Sequence, residues 1–190
     1  VRIDTDGEVL IKSPGCMVGY YKRPDLDAES FTPDGYFRTG DTGERRADGL
    51  LRLTGRKKEL FKTAKGKYVA PAPIENKLNE HPMIELSCVT GVGQPAAYAL
   101  VVLSDEWRAR AGETADRAQI ERELQALLHS VNATLAEYEI LQMLVISKKP
   151  WSIEDGTLTP TMKIKRSAIE ASVAPKVEGW YKAGRPVVWG

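Results

Sequence analysis

Three short segments carry residue types that could act on an anionic ligand. The first is Gly35-Tyr36-Phe37-Arg38-Thr39-Gly40-Asp41. A Thr-Gly-Asp turn after an aromatic strand holds a carboxylate in a fixed place, where it can accept two hydrogen bonds from a vicinal diol such as a ribose. An Asp in such a turn also caps local backbone donors, and this segment by itself leaves both readings open. The second runs from Gly55 to Tyr68, with Arg56, Lys57, Lys58, Lys62, Lys65 and Lys67 against a single acid, Glu59. Gly66 permits a tight turn, and the lysines favour a phosphate-bearing ligand wherever a cleft shields them from water. A unit charge pair at about 4 Å is worth about 1 kcal/mol in water and about 4 at intermediate dielectric, so on an open surface the same run is only a solvated basic hairpin. The spacing of a phosphate-binding P-loop is absent. The third segment is Gly156-Thr157-Leu158-Thr159-Pro160-Thr161-Met162-Lys163-Ile164-Lys165-Arg166. Here a polar loop leads into a helix, and a lysine at that junction has fixed backbone on both sides. Lys163 could reach an anion between carboxylate and phosphate, or it is a plain surface lysine.

The elements that must position these residues change character along the chain. Glu8 to Ser13 reads as a strand ended by Pro14-Gly15, and Asp34-Gly35 and Asp48-Gly49 are turn dipeptides ahead of Tyr36-Phe37 and Leu50 to Leu53. Short strands with tight turns make the first part β-rich. Beyond it the patterning is mixed. Ile74 and Leu78 share a helix face, Ser87 to Val92 and Tyr98 to Leu103 read as strands, and Leu141 to Ile146 as another. The clearest helical stripe is Ile120, Leu124, Leu127, Leu128, Val131 and Leu135, with Asp116 and Gln119 as its candidate capping box. A last helix is expected over Lys165 to Val173, stopped near Pro175. The fold class is therefore α+β: a β-rich segment over 1–54, a boundary at 55–58, and a compact α+β unit over 59–190.

Composition narrows the class without naming a function. With 42% hydrophobic and 28% charged residues, the chain can build a packed core and is not disordered. A net charge of +1 provides no global field for nucleic acid or an anionic membrane, so neither is an expected partner. Cys16 and Cys88 are far apart and read as free thiols rather than a metal site or a disulfide scaffold. A cytoplasmic location is expected, with peripheral membrane association unsupported but open. The chain starts Val-Arg-Ile-Asp, without Met, and runs straight into strand-like sequence; a piece of a longer protein is the expectation.

Taken together, in this order and with these spacings, the three segments resemble the AMP-forming adenylating superfamily of acyl-CoA synthetases, peptide-synthetase adenylation domains and luciferases. The resemblance runs from about Gly7 to Arg166. Gly7-Glu8-Val9-Leu10-Ile11 is similar to the Gly-Glu strand that precedes the ribose motif, and Val18-Gly19-Tyr20-Tyr21 to the family's Gly-Tyr step. Gly-Arg-Lys-Lys-Glu, Lys-Tyr-Val-Ala-Pro and Leu-Thr-Pro-Thr-Met-Lys fit the long-chain fatty-acid-CoA ligase branch best. No single motif is specific, but the combination is.

The resemblance implies the carboxy-terminal portion of an acyl-CoA synthetase. Such enzymes form an acyl-adenylate from ATP and a carboxylic acid, release pyrophosphate, and then pass the acyl group to coenzyme A. Carried over by motif, Asp41 would bind the ribose hydroxyls of AMP and Arg56 would contact the nucleotide. Lys58 falls at the hinge between a large amino-terminal domain and a small mobile one. Gly66 and Lys67 would line the coenzyme A channel in the second step. Lys163 would be the catalytic lysine, stabilising charge between carboxylate and α-phosphate. Residues 1–54 would then be the end of the large domain. Fatty acid, ATP and CoA are the implied small-molecule partners, with the absent amino-terminal domain as the protein partner. Mg²⁺ would come with ATP and be held mainly by that domain; no metal ligands are expected in this chain. The chain alone is expected to be inactive. Three positions depart from the family at large: Lys58 where many members have Asp, Thr161-Met162 where many have Ser-Gly, and Tyr68 where many have Arg. These agree with the long-chain branch and put side-chain roles in the second step in doubt. The alternatives are a ligase that loads its acyl-adenylate onto a carrier protein, and a non-catalytic module that binds nucleotide or a partner.

Overall fold

A computed structural model describes residues 1–112 and 114–190. The chain divides into two compact units, Val1–Leu60 and Phe61–Gly190.

The first unit is built on a four-stranded antiparallel sheet in the order β1-β2-β3-β4, formed by β1 (Arg2–Ile3), β2 (Glu8–Ile11), β3 (Phe37–Arg45) and β4 (Leu51–Arg56). The short helix α1 (Pro24–Ser30) precedes β3; Pro24 starts it where a missing N–H costs nothing, and Asp25 and Asp27 favour the positive end of its dipole. Both expected turns are present, closed by Gly35 N–H to Thr32 O at 2.9 Å and Gly49 N–H to Arg46 O at 2.9 Å. β3 and β4 are longer than their apolar runs, because pairing continues through Thr42 opposite Gly55 and Asp41 opposite Arg56.

The second unit opens with a hairpin of β5 (Phe61–Lys62) and β6 (Tyr68–Val69), followed by helix α2 (Pro71–Asn79). A mixed sheet in the order β10-β9-β8-β7 follows, from β7 (Ile84–Thr90), β8 (Ala97–Leu103), β9 (Leu141–Ile146) and β10 (Val187–Trp189). β7 and β8 are antiparallel; β9 runs parallel to both β8 and β10. Helices α3 (Asp105–Ala111) and α4 (Thr114–Asn132) lie between β8 and β9 in the chain, and α5 (Arg166–Ala183) between β9 and β10.

β8 is buried along its whole length, and its alternation explains the layering. Ala97, Ala99, Val101 and Leu103 join Ile74 and Leu78 of α2 and Ile120, Leu124 and Leu128 of α4 in one core. Tyr98, Leu100 and Val102 face the other way, onto Ile169, Val177 and Trp180 of α5 with Trp151 and Leu158. Successive side chains of a strand point to opposite faces, so a sheet covered on both sides shows a continuous apolar run. Trp107 and Trp189 pack against the first of these cores.

Two expectations at helix ends are corrected. α5 does not stop at Pro175 but runs on to Ala183. Pro175 removes the N–H that would meet the carbonyl of Ala171, but both residues are exposed, so water can satisfy that carbonyl. Val177 and Trp180, two and five residues further on, are buried, and this burial outweighs the proline penalty. Asp116 lies inside α4 rather than at its cap, and with Gln119 it receives the guanidinium of Arg110. Among the described residues, no helix is long and apolar enough to cross a membrane.

Candidate functional site

In the first unit, Asp41 and Arg56 stand opposite each other on β3 and β4, with Arg56 Nε 3.0 Å from Asp41 Oδ1. Gly40 has φ 73, a conformation that costs a side-chain-bearing residue, and its left-handed turn swings Asp41 to face Arg56. The turn's own N–H groups are satisfied elsewhere. Gly40 N–H donates to Glu8 Oε1 at 3.1 Å and Asp41 N–H to Thr39 Oγ1 at 3.1 Å, while Thr39 Oγ1–H donates to Val9 O at 2.7 Å. Among the described residues no backbone N–H donates to the Asp41 carboxylate, so it is not a local cap, and no hydrogen bond engages its Oδ2.

Beside the turn lies a recess of about 620 Å³, bounded in part by Arg38, Thr39, Gly40, Arg56, Lys57 and Lys58. Glu8, 3% exposed, lies at its base and organises the cations. Arg38 Nη1 donates to Glu8 Oε2 at 3.0 Å and Lys57 Nζ to the same oxygen at 3.3 Å. Lys57 also donates to Asp6 at 2.5 Å, which raises the lysine pKa and lowers that of Asp6. Lys58, in the 3-10 turn Lys57–Glu59, is exposed and makes no ion pair among the described residues. The expected hinge, 55–58, therefore covers the end of β4 and the start of this turn; the units part after Leu60.

In the second unit, Gly66 and Lys67 form the tip of the β5–β6 hairpin. Gly66 N–H donates to Thr63 O at 2.9 Å with φ 78, the left-handed geometry a tight turn requires. The hairpin is pinned at its side by Ala64 N–H to Gln94 O at 2.9 Å and Gly93 N–H to Lys62 O at 3.0 Å. Lys67 and Tyr68 are exposed.

Lys163 sits on a closed loop. Leu158 and Ile164 form a bridge at its neck. Inside it Thr159 N–H donates to Lys163 O at 2.8 Å, Met162 N–H to Thr159 O at 2.8 Å, and Lys163 N–H to Thr159 Oγ1 at 3.0 Å. Met162 adopts φ 61, an uncommon conformation for a residue other than glycine, and one that tightens the turn. Leu158, 1% exposed, anchors the neck in the α5-side core. The Lys163 side chain is exposed and makes no ion pair or hydrogen bond among the described residues, so a cation is presented on a fixed backbone with its charge uncommitted.

The loop's far end is tied down by a buried ion pair missed in the sequence. Arg166 Nη1 lies 2.6 Å from Glu75 Oε1, and Nη2 donates to Glu75 Oε2 at 3.2 Å. One signal was available: Glu75 sits between Ile74 and Leu78 on the buried stripe of α2, and a buried carboxylate demands a partner. Glu8 likewise was readable only as part of a strand. Cys88 is buried beside Arg166, and burial pushes its thiol up to about 12, which keeps it protonated and unreactive. No group of three or more His, Cys, Asp or Glu side chains that could hold a metal ion occurs among the described residues.

Residues 59–185 match the AMP-binding enzyme C-terminal domain. The chain belongs to that family. Over 95% of its length it is 35% identical to the long-chain-fatty-acid–CoA ligase FadD15 of Mycobacterium tuberculosis, covering 32% of that protein. It is 33% identical to long-chain-fatty-acid–CoA ligase 4 of Saccharomyces cerevisiae, over 94% of this chain and 28% of that one. The chain thus spans about a third of the length of the curated relatives it matches. Among solved structures, the adenylation domain of a carboxylate reductase from Mycobacterium chelonae superposes with a TM-score of 0.78 at 29% identity, covering 93% of this chain and 28% of the other. The A domain of a carboxylic acid reductase from Segniliparus rugosus, in complex with AMP and a co-purified carboxylic acid, gives 0.75 at 29% identity, with 93% of this chain and 28% of that one covered. The α+β class expected from the patterning and the carboxy-terminal portion of an AMP-forming enzyme expected from the motifs agree with these findings.

Proposed function

We propose that this chain is the carboxy-terminal part of a fatty-acid–CoA ligase, which makes an acyl-adenylate from ATP and a fatty acid and then the CoA thioester. The observation that carries the reading is Lys163: a cation held on a closed loop, unpaired, in a member of this family. A pre-positioned charge costs no reorganisation when negative charge develops between carboxylate and α-phosphate. Asp41 accepts the ribose hydroxyls of the nucleotide through its unengaged carboxylate oxygen, and Arg56, which already orients that carboxylate, contacts the same nucleotide. The hairpin tip at Gly66 and Lys67 serves the second step, where coenzyme A delivers its thiol. Lys58 is the pivot residue in this reading. Mg²⁺ enters with the phosphates of ATP, and no side-chain cluster of this chain is assigned to it.

Two measurements test the reading in the intact protein. Lys163→Ala is expected to lower ATP–pyrophosphate exchange about a hundredfold or more; exchange at the wild-type rate would show Lys163 to be only surface charge and would favour a non-catalytic binding module. A second reading, transfer to a carrier-protein thiol, gains support from the likeness to an A-PCP didomain of the Segniliparus rugosus reductase, which superposes with a TM-score of 0.74 at 29% identity, covering 92% of this chain and 24% of that one. Comparing free CoA with a phosphopantetheinylated carrier as acceptor separates the two.

A further inference from the structure

We infer that Glu75 and Arg166 are a positioning pair whose fork-to-fork ion pair sets where Lys163 stands; this rests on the catalytic reading of Lys163 given above. Arg166 is the first residue of α5 and follows Lys163 by three positions. Its guanidinium meets both oxygens of Glu75, at 2.6 and 3.2 Å. The same Nη1 also donates to Val89 O at 2.7 Å, and Glu75 Oε1 accepts the Val89 N–H at 2.7 Å. One residue of β7 is therefore gripped by its carbonyl and its N–H together. The pair joins α2, β7 and α5 at a single point, with side chains only 10% and 17% exposed.

The consequence runs in both directions along the chain. Toward the amino terminus of α5, Lys165 N–H donates to Thr157 O at 2.7 Å, so the strand leaving the Lys163 loop is pinned on one side by the loop's own neck and on the other by Arg166. Toward the start of α2, Glu75 stands one turn beyond Pro71, and the helix begins two residues after β6 of the Gly66–Lys67 hairpin. The bases of both loops assigned to chemistry are thus fixed to one ion pair. A planar, bidentate contact sets direction as well as distance, which a lysine or an amide in the same place does not reproduce.

The test uses the full-length protein with Glu75→Gln and Arg166→Lys, each read beside wild type and Lys163→Ala. Four quantities are measured: pyrophosphate-exchange kcat and KM, melting temperature, and hydrogen exchange of the amides in residues 157–165. The expected result is a kcat about tenfold or more lower, since a small misplacement of a catalytic group is enough for that. KM for ATP and fatty acid should stay within about twofold of wild type, and exchange at 157–165 should accelerate while α4 remains protected. A lower melting temperature with wild-type kcat would overturn the proposal and leave the pair a stabilising contact only. Unchanged protection at 157–165 would overturn it as well. If Lys163→Ala itself leaves exchange of pyrophosphate intact, the catalytic reading is what fails and the positioning role falls with it, while the amide data still decide whether the pair orders the loop.

Discussion

Each unit of this chain contains an arginine facing a carboxylate, and the two pairs are opposites in setting. Asp41 and Arg56 lie 3.0 Å apart on neighbouring strands with side chains 26% and 63% exposed. Glu75 and Arg166 lie 2.6 Å apart with 10% and 17% exposed, and both reach the backbone of Val89. The open pair keeps much of its hydration and gains little from pairing, so one of its members can turn to a ligand at small cost. The closed pair has given up its hydration, and each charge depends on the other. The same residue types therefore serve recognition in one place and architecture in the other, and burial decides which.

The largest effect that would break this contrast is on stability. Arg166→Ala leaves a carboxylate buried and unpaired and is expected to cost about 3–5 kcal/mol, read by denaturant unfolding; a loss below about 1 kcal/mol would put the two pairs in the same class. Arg56→Ala is expected to cost less than about 1 kcal/mol of stability and to weaken AMP binding in the intact protein, measured by calorimetry. A stability loss as large as that of Arg166→Ala, or unchanged AMP affinity, would argue that the open pair is structural. The smallest effect is at a third, exposed pair. Arg2 holds the Asp34 carboxyl down at about 2, below the usual carboxylate value of about 3.9. Because the folded value is the lower one, the contribution is present above pH of about 4 and is lost as pH falls through about 2. An NMR titration of Asp34 checks this, and added salt should move the midpoint back toward the ordinary value.

How much of this was legible depended on where the deciding contacts lie. Leu141–Ile146 matches its apolar run to the residue, and Tyr98–Leu103 misses only Ala97, because a strand buried on both faces announces itself in hydrophobicity alone. β4 ends at Arg56 rather than Leu53 because polar residues join it only through pairing with β3, a long-range contact. Pro175 was misleading because the cost of a proline is local, whereas the packing of Val177 and Trp180 that carries the helix past it is tertiary. At the candidate site, Asp41 and Lys163 stand out only in company with the other motifs. Glu8 and Glu75 were hidden for a common reason: an acid in a strand or helix looks solvated until the cations that pair with it are found elsewhere in the chain.

The placement of the aromatic side chains has a practical outcome. All four tryptophans, Trp107, Trp151, Trp180 and Trp189, belong to the second unit, and the first has none. Indole fluorescence is therefore a reporter on the second unit alone, whereas far-ultraviolet circular dichroism records the backbone of both. A melting curve followed by both signals would reveal, from any offset between the two traces, whether the units unravel together or in succession.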